Sequence, residues 1–176
     1  MLAFFSTEGR GAADAMLCDV AARLRSEGVR LAGAVQVNLG RPDRARCDMD
    51  LHVLNGTEVV RISQNLGAGS SGCRLDPGGL ERAVGLAEAA LAGGGVDLVI
   101  VNKFGKQEIE GRGFRPLIGE ALAAGLPVLI AVNTGNLEEF HAFSAGIAEA
   151  LPPEEDRILA WCRSALDAAD RPARAV

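Results

Sequence analysis

Residues Ser6 to Ala13, Ser-Thr-Glu-Gly-Arg-Gly-Ala-Ala, follow a short apolar run and lead into an alanine-rich helical pattern. A phosphate-binding loop has that layout: a glycine, four residues, then Gly-Lys-Ser or Gly-Lys-Thr. Its backbone N–H groups surround the phosphates, its lysine balances their charge, and its hydroxyl holds magnesium. On that template Ser6 takes the place of the first glycine and Gly11 of the second, with Thr7, Gly9 and Arg10 between them. Ala12 stands where the lysine belongs and Ala13 where the hydroxyl belongs. A backbone nest at a helix N-terminus attracts an anion without those side chains. Metal-assisted phosphoryl transfer in its usual form does not survive their loss. An ordinary structural turn is the competing reading.

A second segment gathers positive charge. Asn102-Lys-Phe-Gly-Lys-Gln-Glu108 and the following Arg112 continue from an apolar run, so Lys103, Lys106 and Arg112 could face an anion, with Glu108 beside them. In a nucleotide hydrolase acidic residues at this strand end would organise magnesium and water; Asn102 and Lys103 cannot. The alternative is a solvated loop, salt-bridged through Glu108 and Glu110. A third pair of segments, Cys47-Asp-Met-Asp50 and Cys73-Arg74, combines thiols with charge. Cys47, Asp48, Asp50 and Cys73 could bind a soft or borderline metal, or Arg74 an anion; buried free thiols are the plainer reading. His52 and His141 have no nucleophile beside them in the pattern and are given no chemical role.

These segments need a scaffold that brings them together. Leu2 to Phe5 reads as a first strand, Ala12 to Leu24 as a helix closed by Glu27-Gly28, and Leu31 to Val37 as a buried strand. Asn38 to Arg46 reads as a loop. Asp50 to Leu54 and Glu58 to Ile62 flank Asn55-Gly56, a hairpin signal. Asp76 and Pro77 open a helix that runs to Leu91. Asp97 to Val101 and Pro127 to Val132 are continuous apolar runs, the mark of strands buried on both faces. Helices are expected at 113–124, near 136–149 and near 153–168. Alternating strands and helices predict a parallel sheet between helical layers, with the hairpin as an antiparallel extension. Segments 6–14, 102–112 and 133–136 then share one sheet edge, where such folds place their sites. Residues 1–170 read as one domain and 171–176 as a frayed tail.

The 176 residues carry a formal charge of −5 and only 4 % aromatics, which argues against a nucleic-acid binder. No apolar run reaches membrane-span length, and the start lacks a signal-peptide pattern, so no membrane insertion and a cytoplasmic location are expected. The four cysteines form no CxxC pair.

The phrases CDMDL (47–51), RISQNLG (61–67), GCRLDPGGL (72–80), VNKFGKQEIEGRGFR (101–115) and GLPVLIAV (125–132) resemble an uncharacterised bacterial family, often encoded beside molybdate-transport genes. More distantly, the segment order is similar to the small P-loop nucleoside-triphosphatases first described in thermophiles. The acidic motif of those enzymes, shaped like DEIGKME, falls on Asn102 to Glu108: Gly105, Lys106 and Glu108 match, while the leading Asp-Glu pair becomes Asn102-Lys103. Their phosphate loop falls on Thr7 to Asp14, where Gly9 and Gly11 match and Lys-Thr becomes Ala12-Ala13. The resemblance therefore implies a degenerate, three-layer P-loop-NTPase-like α/β fold.

Three functions stay open. The first is non-hydrolytic binding of an oxyanion such as molybdate, needing no cofactor, with Arg10, Lys103 and Lys106 as its positive charges. The second is a regulatory or assembly role through a protein partner. The third is an altered nucleoside-triphosphatase, in which Lys103 or Lys106 supplies the missing charge and Glu108 positions water. A homo-oligomer is compatible with each.

Overall fold

The runs Leu98 to Val101 and Val128 to Val132 contain no exposed position. In the computed structural model of the chain they lie side by side within a seven-stranded sheet, which explains why neither alternates with polar residues. The structure describes residues 1–9, 11–40, 47–64 and 75–169; the expected tail at 171–176 lies outside them. In chain order the elements are β1 (Leu2–Phe5), α1 (Ala12–Ser26), β2 (Leu31–Leu39), β3 (Asp48–Val53), β4 (Val59–Arg61) and α2 (Pro77–Gly93). Then come β5 (Leu98–Phe104), α3 (Lys106–Ile109), α4 (Arg115–Ala123), β6 (Val128–Val132), α5 (Leu137–Ser144), β7 (Ala148–Ala150) and α6 (Glu155–Ala169).

The lateral order is β4-β3-β2-β5-β6-β1-β7. Strands β2, β5, β6, β1 and β7 run parallel, while β3 and β4 pair antiparallel as the hairpin extension. One face is covered by α1 and α6, through Leu17, Val20, Leu24, Ile158 and Cys162. The other is covered by α2, α4 and α5, through Leu80, Val84, Leu117, Ile118 and Phe140. This is the three-layer, P-loop-NTPase-like α/β architecture expected from the sequence. Each fully buried leucine or isoleucine of these layers contributes roughly 1.5–3 kcal/mol over an exposed one. Helix α2 starts where its cap residues lie: Asp76 accepts a hydrogen bond from the Gly78 N–H at 3.1 Å, and Pro77 holds the first helical position.

Three expectations are corrected. Asn38 and Leu39, expected in a loop, belong to β2, where they pair with Met49 and Asp48 of β3. The helix foreseen near 136–149 ends at Ser144, because Ala145 (φ 48°) and Gly146 (φ 79°) turn left-handed and stop it. Ala148 to Ala150 then pair with β1 as its outer neighbour, from Leu2 opposite Ala148 to Phe4 opposite Ala150. Strand pairing there overrides the helix-favouring Ala-Glu-Ala composition. The loop foreseen from 102 is partly regular: β5 continues to Phe104 and α3 follows at once. Because β1, β5 and β6 are parallel, the segments after them do share one edge of the sheet.

Candidate functional site

At that edge the chain leaves β1 at Ser6, and Gly9 and Gly11 adopt φ of 88° and 83°. Gly11 is the N-cap of α1, and its carbonyl accepts the Ala15 N–H at 3.0 Å. No side chain caps the helix. The N–H groups of Ala12, Ala13 and Asp14 therefore have no partner within the helix, at its positive end.

Asn102 lies at the same sheet edge, at the end of β5. It pairs in register with Ala131, which pairs with Phe5. Leu98 and Ile100, four and two positions earlier on β5, pack with Leu17, Val20 and Leu24 of α1. Alternation as far as Ile100 points Asn102 towards the α1 face, but the register shifts between Asn102 and Phe104, and Asn102 also lines the cavity walled by Met49, Leu51, Leu80 and Phe114. Asn102 is 3 % exposed, and neither its Nδ2 nor its Oδ1 finds a partner. The Ser6 hydroxyl oxygen is likewise buried and unpartnered. Such groups are costly without hydrogen bonds, so three orphaned polar atoms at one sheet edge are a signal.

The charges beside them are already matched. Asp14, in the first turn of α1, is buried and forms an ion pair with Lys103 at 3.2 Å. Its other oxygen accepts from Asn38 Nδ2 at 2.6 Å and Gln36 Nε2 at 3.3 Å. Gln36 Nε2 also donates to Asn38 Oδ1 at 2.8 Å. Lys103 therefore brings no surplus positive charge. Sequence reading missed Asp14, Gln36 and Asn38: an acid within an alanine-rich first turn was visible, but with the strand ended at Val37 and Asn38 placed in a loop, the pairing of Gln36 with Asn38 along β2 was not.

The remaining candidates separate. Lys106 is largely exposed and pairs with Glu110 at 3.7 Å; Arg112 hydrogen-bonds the same carboxylate. Glu108 is buried, and its oxygens accept the Gly105 N–H at 2.9 Å and the Phe114 N–H at 3.0 Å. Burial raises its pKa, and the backbone donors only partly oppose that. Asp48 and Asp50 both bond Arg61, whose Nη1 lies 2.9 Å from Asp48 Oδ2. Cys47 is exposed at the start of that strand. Arg10, Cys73 and Arg74 lie outside the described residues. Among the described residues no group of three or more His, Cys, Asp or Glu could hold a metal ion. Cys18 packs below the Asp14 network, and burial followed by Asp14 and Asp19 pushes its thiol up, away from the reactive thiolate.

Glu108→Gln is expected to cost about 2 kcal/mol at neutral pH, because one amide oxygen cannot serve both backbone donors. The pH dependence has a defined sign. A carboxyl with a raised folded pKa holds its proton in the folded state where the unfolded chain has lost it. Wild-type stability from this group is then greatest below the usual value of 4.5 and falls as pH rises through the raised value. The deficit of the glutamine variant should therefore widen on acidification from neutrality towards 4.5. Urea titrations at several pH values check this; a pH-independent difference would contradict it.

The fold is a P-loop-like α/β architecture in which β1 leads through Gly9 and Gly11 into the uncapped start of α1. The chain belongs to the family described as "Protein of unknown function (DUF2478)", whose model matches residues 2–161. It is also similar to "Molybdenum import ATP-binding protein ModC 2" of Bradyrhizobium diazoefficiens, with 39 % identity over 153 residues. That match covers 85 % of this chain and 17 % of the relative, so the chain spans a small part of that protein's length. No solved structure matches it significantly. Among the described residues no helix is long and apolar enough to cross a membrane.

Proposed function

We propose that this chain binds a small tetrahedral oxyanion of the molybdate type at the head of α1 and does not hydrolyse nucleotides. The observation that carries this reading is the buried Asn102 amide, unpartnered at both polar atoms, at the sheet edge that also carries an uncapped helix start. Molybdate is a compact dianion whose oxygens accept hydrogen bonds from several directions at once. The N–H groups of residues 12–14, the Ser6 and Thr7 hydroxyls and the Asn102 amide supply uncharged donors at one sheet edge, and oriented dipoles of this kind hold anions. Lys103 contributes little net charge because Asp14 offsets it. The similarity to a protein named for molybdenum import supports molybdate as the first ligand to try. Ala12 and Ala13 leave no lysine or hydroxyl for magnesium nucleotide chemistry.

Calorimetry with molybdate, tungstate, sulfate and phosphate tests the reading; absence of heat with all four ends it, as does phosphate release from magnesium-ATP. Asn102→Leu provides a sharper result. Removing a buried unsatisfied amide should raise stability by about 1–2 kcal/mol. The same change should weaken oxyanion binding at least about tenfold. A variant that is less stable, or binds as wild type, contradicts the assignment. A second reading rests on the relative's length: the matching segment is 17 % of an ATP-binding protein, which favours a module regulating such an ATPase through direct contact. A defined complex with an import ATPase, without oxyanion binding by the chain itself, would support that alternative.

A further inference from the structure

We infer that the pocket between β3, α2 and α3 is a binding site for a planar heteroaromatic lactam, the chemistry shared by guanine and pterin rings. It has a volume of about 300 Å³ and opens beside the C-terminal end of β5. Protein interiors leave few voids larger than a water molecule, and small-molecule sites begin at about this size. Met49 and Leu51 of β3, Leu80 of α2 and Phe114 before α4 form apolar walls. An aromatic ring and a thioether suit the faces of a flat, polarizable ligand.

The polar end chooses among flat ligands. Gln36, Asn102, Gln107 and Asn133 bring four carboxamides to the pocket, and that of Asn102 is buried without a partner at either polar atom. The amides of Gln107 and Asn133 bond no other described side chain or backbone group, and the Gln36 oxygen is not used by the Asp14 network. A carboxamide presents a donor beside an acceptor, which pairs with the adjacent carbonyl and N–H of a lactam edge. Lys103 also lines the pocket and can donate to a carbonyl. Glu108 lines it too, but both its oxygens are committed to Gly105 and Phe114. The wall therefore offers neutral paired groups and cationic donors, with no free carboxylate to favour a cationic ring. A hydrocarbon would leave the carboxamides desolvated and unpaired.

This pocket meets the head of α1 at Asn102, which lines it, and at Gln36 and Lys103, which line it and also bond Asp14; Gln107, Asn133 and the apolar walls belong to the pocket alone. The full chain is titrated with neopterin, followed by its own fluorescence polarisation, with guanosine as competitor and indole, which lacks a lactam, as control. Saturable neopterin binding, guanosine competition, or direct calorimetric binding of guanosine alone supports the lactam site, and indole should not compete. Leu80→Trp fills the pocket and should weaken binding at least about tenfold, while Gln107→Ala, at a position that does not support the core, should weaken it about threefold or more. If Leu80→Trp does not fold, the Gln107→Ala result decides. No binding of either lactam, equal binding of indole, or unchanged affinity in the folded variants overturns the proposal. Molybdate titration of the Gln107→Ala variant, whose change lies outside the α1 site, should give wild-type affinity, so the lactam reading and the oxyanion reading can each fail alone.

Discussion

Gly33→Ala is expected to remove about 4 kcal/mol or more of stability, enough to leave many domains of this size largely unfolded. Gly33 lies inside β2 with φ of 96°, a conformation that alanine adopts only under strain. A Cβ there would meet the Ile100 carbonyl oxygen at 1.9 Å and the carbonyl carbon at 2.9 Å. Neither atom is the end of a flexible side chain; both belong to the backbone of β5. Relief requires β2 and β5 to separate, yet Leu31 to Ala34 pair with Leu98 to Val101 over this stretch. The Gly33 carbonyl also accepts the Leu54 N–H at 2.9 Å, so movement disturbs the hairpin on the other side. Urea unfolding followed by circular dichroism measures the effect. A loss below about 1 kcal/mol would show that the strand pair yields more readily than its geometry indicates.

That glycine illustrates what the chain discloses before folding. Leu98 to Val101 and Val128 to Val132 announce buried strands by composition, and Asp76-Pro77 announces a helix start by capping chemistry. A glycine inside Leu-Ala-Gly-Ala-Val-Gln-Val is also a local sign of close backbone approach, but its neighbour, Ile100, is 67 positions away in the chain. Strand β7 was hidden for the opposite reason: Ala148 to Ala150 have no strand character of their own and owe their conformation to the exposed edge of β1. Gly146 was the local warning. The site divides in the same way. Gly9 and Gly11 could be recognised as a loop feeding a helix, whereas the significance of Asn102 lies in unsatisfied hydrogen bonding, which only packing reveals. Lys103 looked like an available cation until Asp14 met it across 89 positions.

Lys103→Met is expected to destabilise the fold by about 3 kcal/mol, because it strands a buried carboxylate while keeping most of the side-chain volume. The Asp14 side chain is 5 % exposed and that of Lys103 28 %, so solvent screens the acid poorly. Asn38 and Gln36 still donate to Asp14 in the variant, which limits the loss but does not neutralise the charge. Adding Asp14→Asn removes that charge and should recover stability to within about 1 kcal/mol of wild type. A double-mutant cycle in urea measures the coupling; additive losses would mean that the pair acts independently. The cycle also tests how the oxyanion is held. If uncharged donors at the head of α1 do the binding, the double variant should retain molybdate affinity within about threefold. The single Lys103→Met variant should bind more weakly, since an unscreened Asp14 repels the ligand from the first helical turn. Loss of binding in the double variant, with the fold restored, would assign Lys103 a direct role that its pairing with Asp14 conceals.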